Sequence, residues 1–230
     1  LAGKAVAEVS RVSHLGSGSV IGGRLSLALD DGVLATLTRG REVALVSATN
    51  GKTTTTHLLA NALERTGPVA SNSLGANMPP GLVAALADAD PRARAVLEVD
   101  ERWIPAVLEA VGPATVVLIN LSRDQLDRSH EVRKIADTWR AALNRLPTTR
   151  VVANADDPLV VWAADGARER GGEVVWVGTA AHWINDASGC PRCGGRIRFT
   201  LADGSSADGA YGDGDTDATV ETGDALAAGA

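Results

Sequence analysis

The stretch Ser47-Ala-Thr-Asn-Gly-Lys-Thr-Thr-Thr-Thr-His57 follows a short apolar run, Glu42-Val-Ala-Leu-Val-Ser47, and leads into helix formers that reach Arg65. The apolar run reads as a buried strand. Leu58, Leu59, Ala62 and Leu63 lie at helical spacing behind it, so the quoted residues form a strand-to-helix turn. Such a turn aims free backbone N–H groups and the positive end of the helix dipole at one point, where an anionic phosphate is stabilised. Lys52 adds a mobile cation, and the Thr53 hydroxyl is placed to ligate a magnesium ion bridging phosphates. The plainer alternative is a threonine-rich helix cap carrying an ordinary surface lysine.

Two features of composition bear on that choice. The usual phosphate-loop pattern has a glycine five positions before the Gly-Lys pair, and here Val46 stands there. Against that, Lys4, Lys52 and Lys134 are the only lysines among 22 basic residues, so a chain that otherwise uses arginine keeps a lysine between glycine and threonine. A phosphate-binding turn is therefore expected.

Outward from the loop, strand and helix alternate. Ala93–Val99, Ala114–Asn120, Arg150–Ala153 and Glu173–Val177 are apolar strand candidates, separated by helical segments near 102–111, 131–145 and 157–169. Continuous apolar strands between helices predict an α/β fold, a largely parallel sheet with helices on both faces built around a P-loop. Residues 4–14 and 24–40 read as helices of an N-terminal lead covering 1–41, and 42–180 as the nucleotide-binding domain. A partial zinc ribbon over 181–201 and a disordered acidic tail over 202–230 complete the expected layout.

The formal net charge is −6. Residues 202–230 carry seven acids and no Lys or Arg, so residues 1–201 sum to −6 + 7 = +1. A near-neutral body gives no electrostatic case for nucleic acid. No apolar run approaches the ~20 residues of a spanning helix, and no charged-then-apolar leader opens the chain, so a cytoplasmic protein that is not integral to a membrane is expected.

In parallel sheets ligands collect at the carboxyl ends of strands. There Glu98 and Asp100 share a strand face beside Glu101. Magnesium on nucleotide phosphates would neutralise such a cluster, and a solvated acidic turn is the alternative; for Glu101, helix-start acid and ligand both stay open. The loop after Asn120 carries Asp124 and Asp127. Asn154-Ala-Asp-Asp157-Pro158 stands at another strand end, where Asn154 and Asp157 are candidate nucleotide contacts and capping chemistry is the competing explanation. Cys190-Pro-Arg-Cys193-Gly-Gly is half of a zinc ribbon, with His182 a conceivable third ligand and no second knuckle.

In order along the chain, seven segments resemble the Mur ligase family: Gly16–Arg24, Thr49–Thr54, Ser71–Asn77, Leu97–Glu101, Asn120–Arg128, Asn154–Pro158 and the Cys190/Cys193 knuckle. Asp124-Gln-Leu-Asp127, with glutamine where histidine is usual, is similar to the amidating branch that works with a GatD-like glutaminase subunit. The resemblance implies ATP and Mg2+ as cofactors and lipid II, at the membrane surface, as substrate. Its D-glutamate α-carboxyl would be activated as an acyl phosphate and amidated by ammonia from the glutaminase. It assigns Lys52 to the β- and γ-phosphates, the 49–54 backbone (Thr49, Asn50, Gly51, Lys52, Thr53, Thr54) to the phosphate cradle, and Thr53 with Glu98 to magnesium.

The chain departs from that family in three ways. Ala48 stands where glycine is usual, the ribbon is halved, and the family's adenine-contacting asparagine and C-terminal domain have no counterpart. A truncated or frame-shifted member is therefore expected, in which residues 202–230 come from another frame. A nucleotide-binding remnant without ligase activity, or another Mur-type amino-acid ligase, are the alternatives.

Overall fold

The computed structural model describes residues 18–72, 76–112, 114–121, 129–178, 189–195, 197–200 and 206–208. Of the lead, the described residues form α1 (Gly18–Leu29) and α2 (Val33–Thr38), and the helix expected over 4–14 lies outside the described residues. The single helix expected over 24–40 is thus broken, because the Asp30 side chain accepts from the Gly32 N–H (2.8 Å) and turns the chain between them.

The quoted stretch joins β1 (Val43–Ser47) to α3 (Lys52–Glu64). Then follow β2 (Val69–Ser71), α4 (Pro79–Ala87), β3 (Arg94–Glu98), α5 (Ile104–Val111), β4 (Thr115–Leu118), α6 (Ser129–Arg145), β5 (Arg150–Asn154), α7 (Pro158–Arg168) and β6 (Val174–Val177). Pro79 and Pro80 open α4, where the missing N–H groups cost nothing because the first turn has no acceptors for them. Sequence patterning passed over both β2 and α4. A three-residue strand is too short to show a period, and paired prolines read as loop.

Six strands make one sheet in the order β2-β3-β1-β4-β5-β6, with every pairing parallel. Both faces of the central strands are covered. Leu45, Leu97, Val116 and Val151 join the main core with residues of α4 to α7, including the fully buried Trp139. Val46 and Val96 are equally buried, and α3 packs on β1, β2 and β3. The buried positions of α3 are Thr56 and Ala60, while Leu58 is 67% exposed, which corrects the apolar face expected at Leu58 and Ala62. Thr56 can be buried because its hydroxyl donates to the Lys52 carbonyl (2.8 Å).

Arg198–Thr200 and Ser206–Asp208 form a separate two-stranded antiparallel sheet, β7 and β8. Within the expected acidic tail, residues 206–208 therefore pair as a strand and do not follow the expected disorder: an open strand edge offers backbone partners whatever the side chains are. Residues 209–230, the loop bearing Asp124 and Asp127, and His182 lie outside the described residues. Among the described residues no helix is long and apolar enough to cross a membrane.

Candidate functional site

The chain leaves β1 for β2 and β3 on one side, then passes from β3 to β4 on the other. That reversal opens a crevice at the carboxyl ends of β3, β1 and β4, the place where parallel sheets hold ligands. The loop 48–51 lies in it.

Gly51 makes the loop possible. It caps α3 in the left-handed region (φ 83°, ψ 2°), which a side chain disfavours, and its carbonyl accepts the Thr55 N–H at 3.0 Å. No side chain caps the start of α3. Ala48, at the position where a glycine was expected, is fully buried. The loop is tied to β4 by Asn120, which sequence reasoning left without a role. Its carbonyl accepts from the Thr49 N–H (3.0 Å), its side-chain oxygen from the Asn50 N–H (2.9 Å), and its amide donates to the Asn50 carbonyl (2.9 Å).

Lys52 folds back over this loop. Its ammonium donates to the carbonyls of Ala48 and Thr49 (3.2 Å to the latter) and lies 3.3 Å from Glu101 Oε2. At the next residue, the Thr53 hydroxyl donates to Glu98 Oε2 at 2.8 Å, although 45 residues separate the two. Glu98 is 3% exposed. Asn77 donates to its other carboxylate oxygen (3.2 Å), and Asn72 brackets its backbone, donating to the carbonyl and accepting the N–H, both at 2.8 Å. Register explains the meeting: Glu98 pairs with Val46 and ends β3 on the face that α3 covers.

The candidate residues thus fall into two groups. Thr49, Asn50, Gly51, Lys52, Thr53, Thr54, Glu98 and Glu101 stand at one crevice. Asn154 and Asp157 sit at the end of β5, with hydrogen bonds directed to backbone. Asn154 donates to the Ile119 carbonyl (2.8 Å). Asp157 caps α7 through the N–H groups of Leu159 and Val160 and also accepts from Leu121 N–H (2.7 Å). They fasten β5 to the end of β4, beside the Asn120 clamp.

Hard oxygen donors suit a magnesium ion, and Thr53 Oγ1 with the buried Glu98 carboxylate are such donors at the mouth of the crevice. A buried carboxylate whose partners are neutral is also relieved by a cation. The donor set fits that ion. Zinc is different. Cys190 and Cys193 lie in a tight knuckle, with Cys190 N–H on the Gly195 carbonyl (2.7 Å) and Gly194 N–H on the Cys190 carbonyl (2.8 Å). Arg133 of α6 donates to the Pro191 carbonyl. Burial pushes the Cys190 thiol up. Hydrogen bonds from the backbone N–H groups of Cys193 and Arg192 and from the Cys193 thiol, with the Arg133 charge, outweigh it and leave the thiol below its usual range. Among the described residues no three His, Cys, Asp or Glu side chains gather as a metal site, so two thiols are half of what a structural zinc needs.

Fold and site define a parallel α/β domain whose polar side chains converge at the switch point of the sheet. Residues 46–190 match the Mur ligase middle domain, and the chain belongs to the Mur ligase family. Among curated proteins it is 32% identical over 196 residues to the lipid II isoglutaminyl synthase (glutamine-hydrolysing) subunit MurT of Streptococcus pneumoniae, covering 82% of this chain and 44% of that protein. It is 30% identical over 193 residues to the MurT subunit of Staphylococcus aureus (strain N315), covering 79% and 43%. The chain spans less than half the length of these relatives. Among solved structures, the UDP-N-acetylmuramoylalanyl-D-glutamyl-2,6-diaminopimelate–D-alanyl-D-alanyl ligase of Acinetobacter baumannii shares the fold, with a TM-score of 0.54 at 16% identity over 72% of this chain and 36% of that one.

Proposed function

We propose that the crevice is a P-loop site for Mg-ATP and that the chain is the nucleotide-binding part of a cytoplasmic Mur-type ligase acting in peptidoglycan synthesis. The observation that carries this reading is the Thr53–Glu98 contact, 2.8 Å, beside the left-handed Gly51 and Lys52. It puts a hydroxyl, a buried carboxylate and an ammonium where a polyphosphate entering the uncapped start of α3 would need them. Thr53 and Glu98 would hold magnesium, which when bound neutralises charge on the phosphates. Lys52 would face the terminal phosphate, and Asn120 would keep the loop in register.

Kinship with MurT subunits, rather than the site, selects the reaction. We assign it as amidation of the D-glutamate α-carboxyl of lipid II. The carboxylate oxygen attacks the γ-phosphorus and ADP leaves. Ammonia, delivered by a GatD-like glutaminase, then attacks the acyl carbon, phosphate leaves and the nitrogen sheds a proton.

Thermal melting with and without saturating Mg-ATP tests the binding step. At a hundredfold excess over Kd the expected stabilisation is about 2.7 kcal/mol, and a domain of this size then melts roughly 5–10 °C higher. Lys52→Ala should abolish the rise. An unmoved melting point in the unaltered chain overturns the nucleotide reading. Conversion of lipid II carboxylate to carboxamide with glutaminase, glutamine and Mg-ATP, followed by mass spectrometry, tests the reaction; addition of an amino acid instead would overturn amidation.

A further inference from the structure

The Lys52 ammonium has three protons and three acceptors: the carbonyls of Ala48 and Thr49, and Glu101 Oε2 at 3.3 Å. It is therefore fully engaged before any phosphate arrives. The two carbonyls belong to the loop itself and accept from the ammonium there. Glu101 is the exchangeable partner. Both side chains are largely shielded, 13% and 15% exposed, so the pair is screened less than a surface ion pair. Its position is built into the fold: the Glu101 carbonyl accepts the indole N–H of the fully buried Trp139 at 2.8 Å, fixing the backbone just past β3.

We infer that Glu101 is a positioning residue, a counterion that holds Lys52 when the site is empty and competes with the terminal phosphate for it. The inference rests on the Mg-nucleotide reading above. A phosphate oxygen that takes Lys52 displaces a carboxylate and leaves it uncompensated nearby, so part of the attraction between lysine and phosphate is cancelled. When the phosphate departs, Glu101 recovers the ammonium. Nucleotide affinity is set lower than the loop alone would give, and release is faster.

Glu101→Gln keeps the shape and one acceptor but removes the charge. Calorimetric titration of the full chain with a Mg-bound, non-hydrolysable ATP analogue should show Kd falling about fivefold, the weight of an ion pair at the upper end of the exposed range. In the absence of nucleotide, brief acetic anhydride labelling read by mass spectrometry should rise several-fold at Lys52 relative to Lys134 in the same molecule. A merely structural role for Glu101 would not move that ratio. Unchanged or weaker binding, or an unchanged Lys52 ratio, overturns the inference. Should the unaltered chain fail to bind, the nucleotide reading fails while the labelling still decides whether Glu101 restrains Lys52. If circular dichroism shows that the Gln variant is unfolded, Glu101→Ala, which removes the carboxylate altogether, carries the same expectations.

Discussion

Asn120 shows how a single amide decides the shape of a loop. It closes two side-chain hydrogen bonds with the peptide of Asn50, 70 residues away, and its own carbonyl takes the Thr49 N–H. Asn120→Ala keeps that last bond and loses the other two, worth roughly 1–3 kcal/mol together. If the loss is spent on loop order, titration with Mg-ATP should show Kd weakening about tenfold; binding equal to the unaltered chain would mean that the clamp does not position the loop. The sequence marked Lys52, Thr53 and Glu98 because spacing and strand ends are visible in one dimension. It left Asn120 unmarked because no spacing rule links an asparagine to a peptide seventy positions upstream. Asn154 and Asp157 were visible for a reason shared by two chemistries: Asn/Asp-rich turns cap helices and contact ligands alike, and the hydrogen bonds seen here go to backbone.

Among the elements, α6 and α7 make the most extensive helix pair, and close approach is what permits it. A Cβ on Gly166 would sit 2.4 Å from the Arg140 carbonyl oxygen, a backbone atom that cannot swing aside. Arg140 itself lies over the Trp162 ring, 3.8 Å from its centroid, and donates to the Trp162 carbonyl (2.6 Å). Gly166→Ala should therefore destabilise by about 1–3 kcal/mol, despite the better helix propensity of alanine. Chemical denaturation would show it as a lower urea midpoint; a raised midpoint would mean that the helices separate without cost. The helices α6 and α7 were legible from sequence because they repeat their apolar spacing over several turns. The three-residue β2 was too short to show a period and α4 opens on paired prolines, so neither was, and the break after Leu29 depended on one Asp30 side chain turning back on the chain.

For the molecule as a whole, the order β2-β3-β1-β4-β5-β6 brings three strand ends to one crevice, and the same core supports all of them. An alternation of apolar strands and helices in sequence implies a parallel sheet; strand order is a property of packing, which is why the convergence of Glu98, Asn120 and the loop appeared only in three dimensions. Trp139 couples core to crevice. Its ring is fully buried within the cluster that joins the sheet to α4 through α7, and its N–H holds the Glu101 carbonyl. Trp139→Phe leaves a void where the larger ring was and an unpaired carbonyl, costing about 1–3 kcal/mol. Because one cluster spans the sheet, the loss should be felt cooperatively: the urea midpoint falls while the denaturant slope stays constant, with tryptophan fluorescence and far-ultraviolet dichroism tracing the same transition. Two separated transitions, or a changed slope with an unmoved midpoint, would show instead that the strand ends forming the crevice loosen independently of the sheet beneath them.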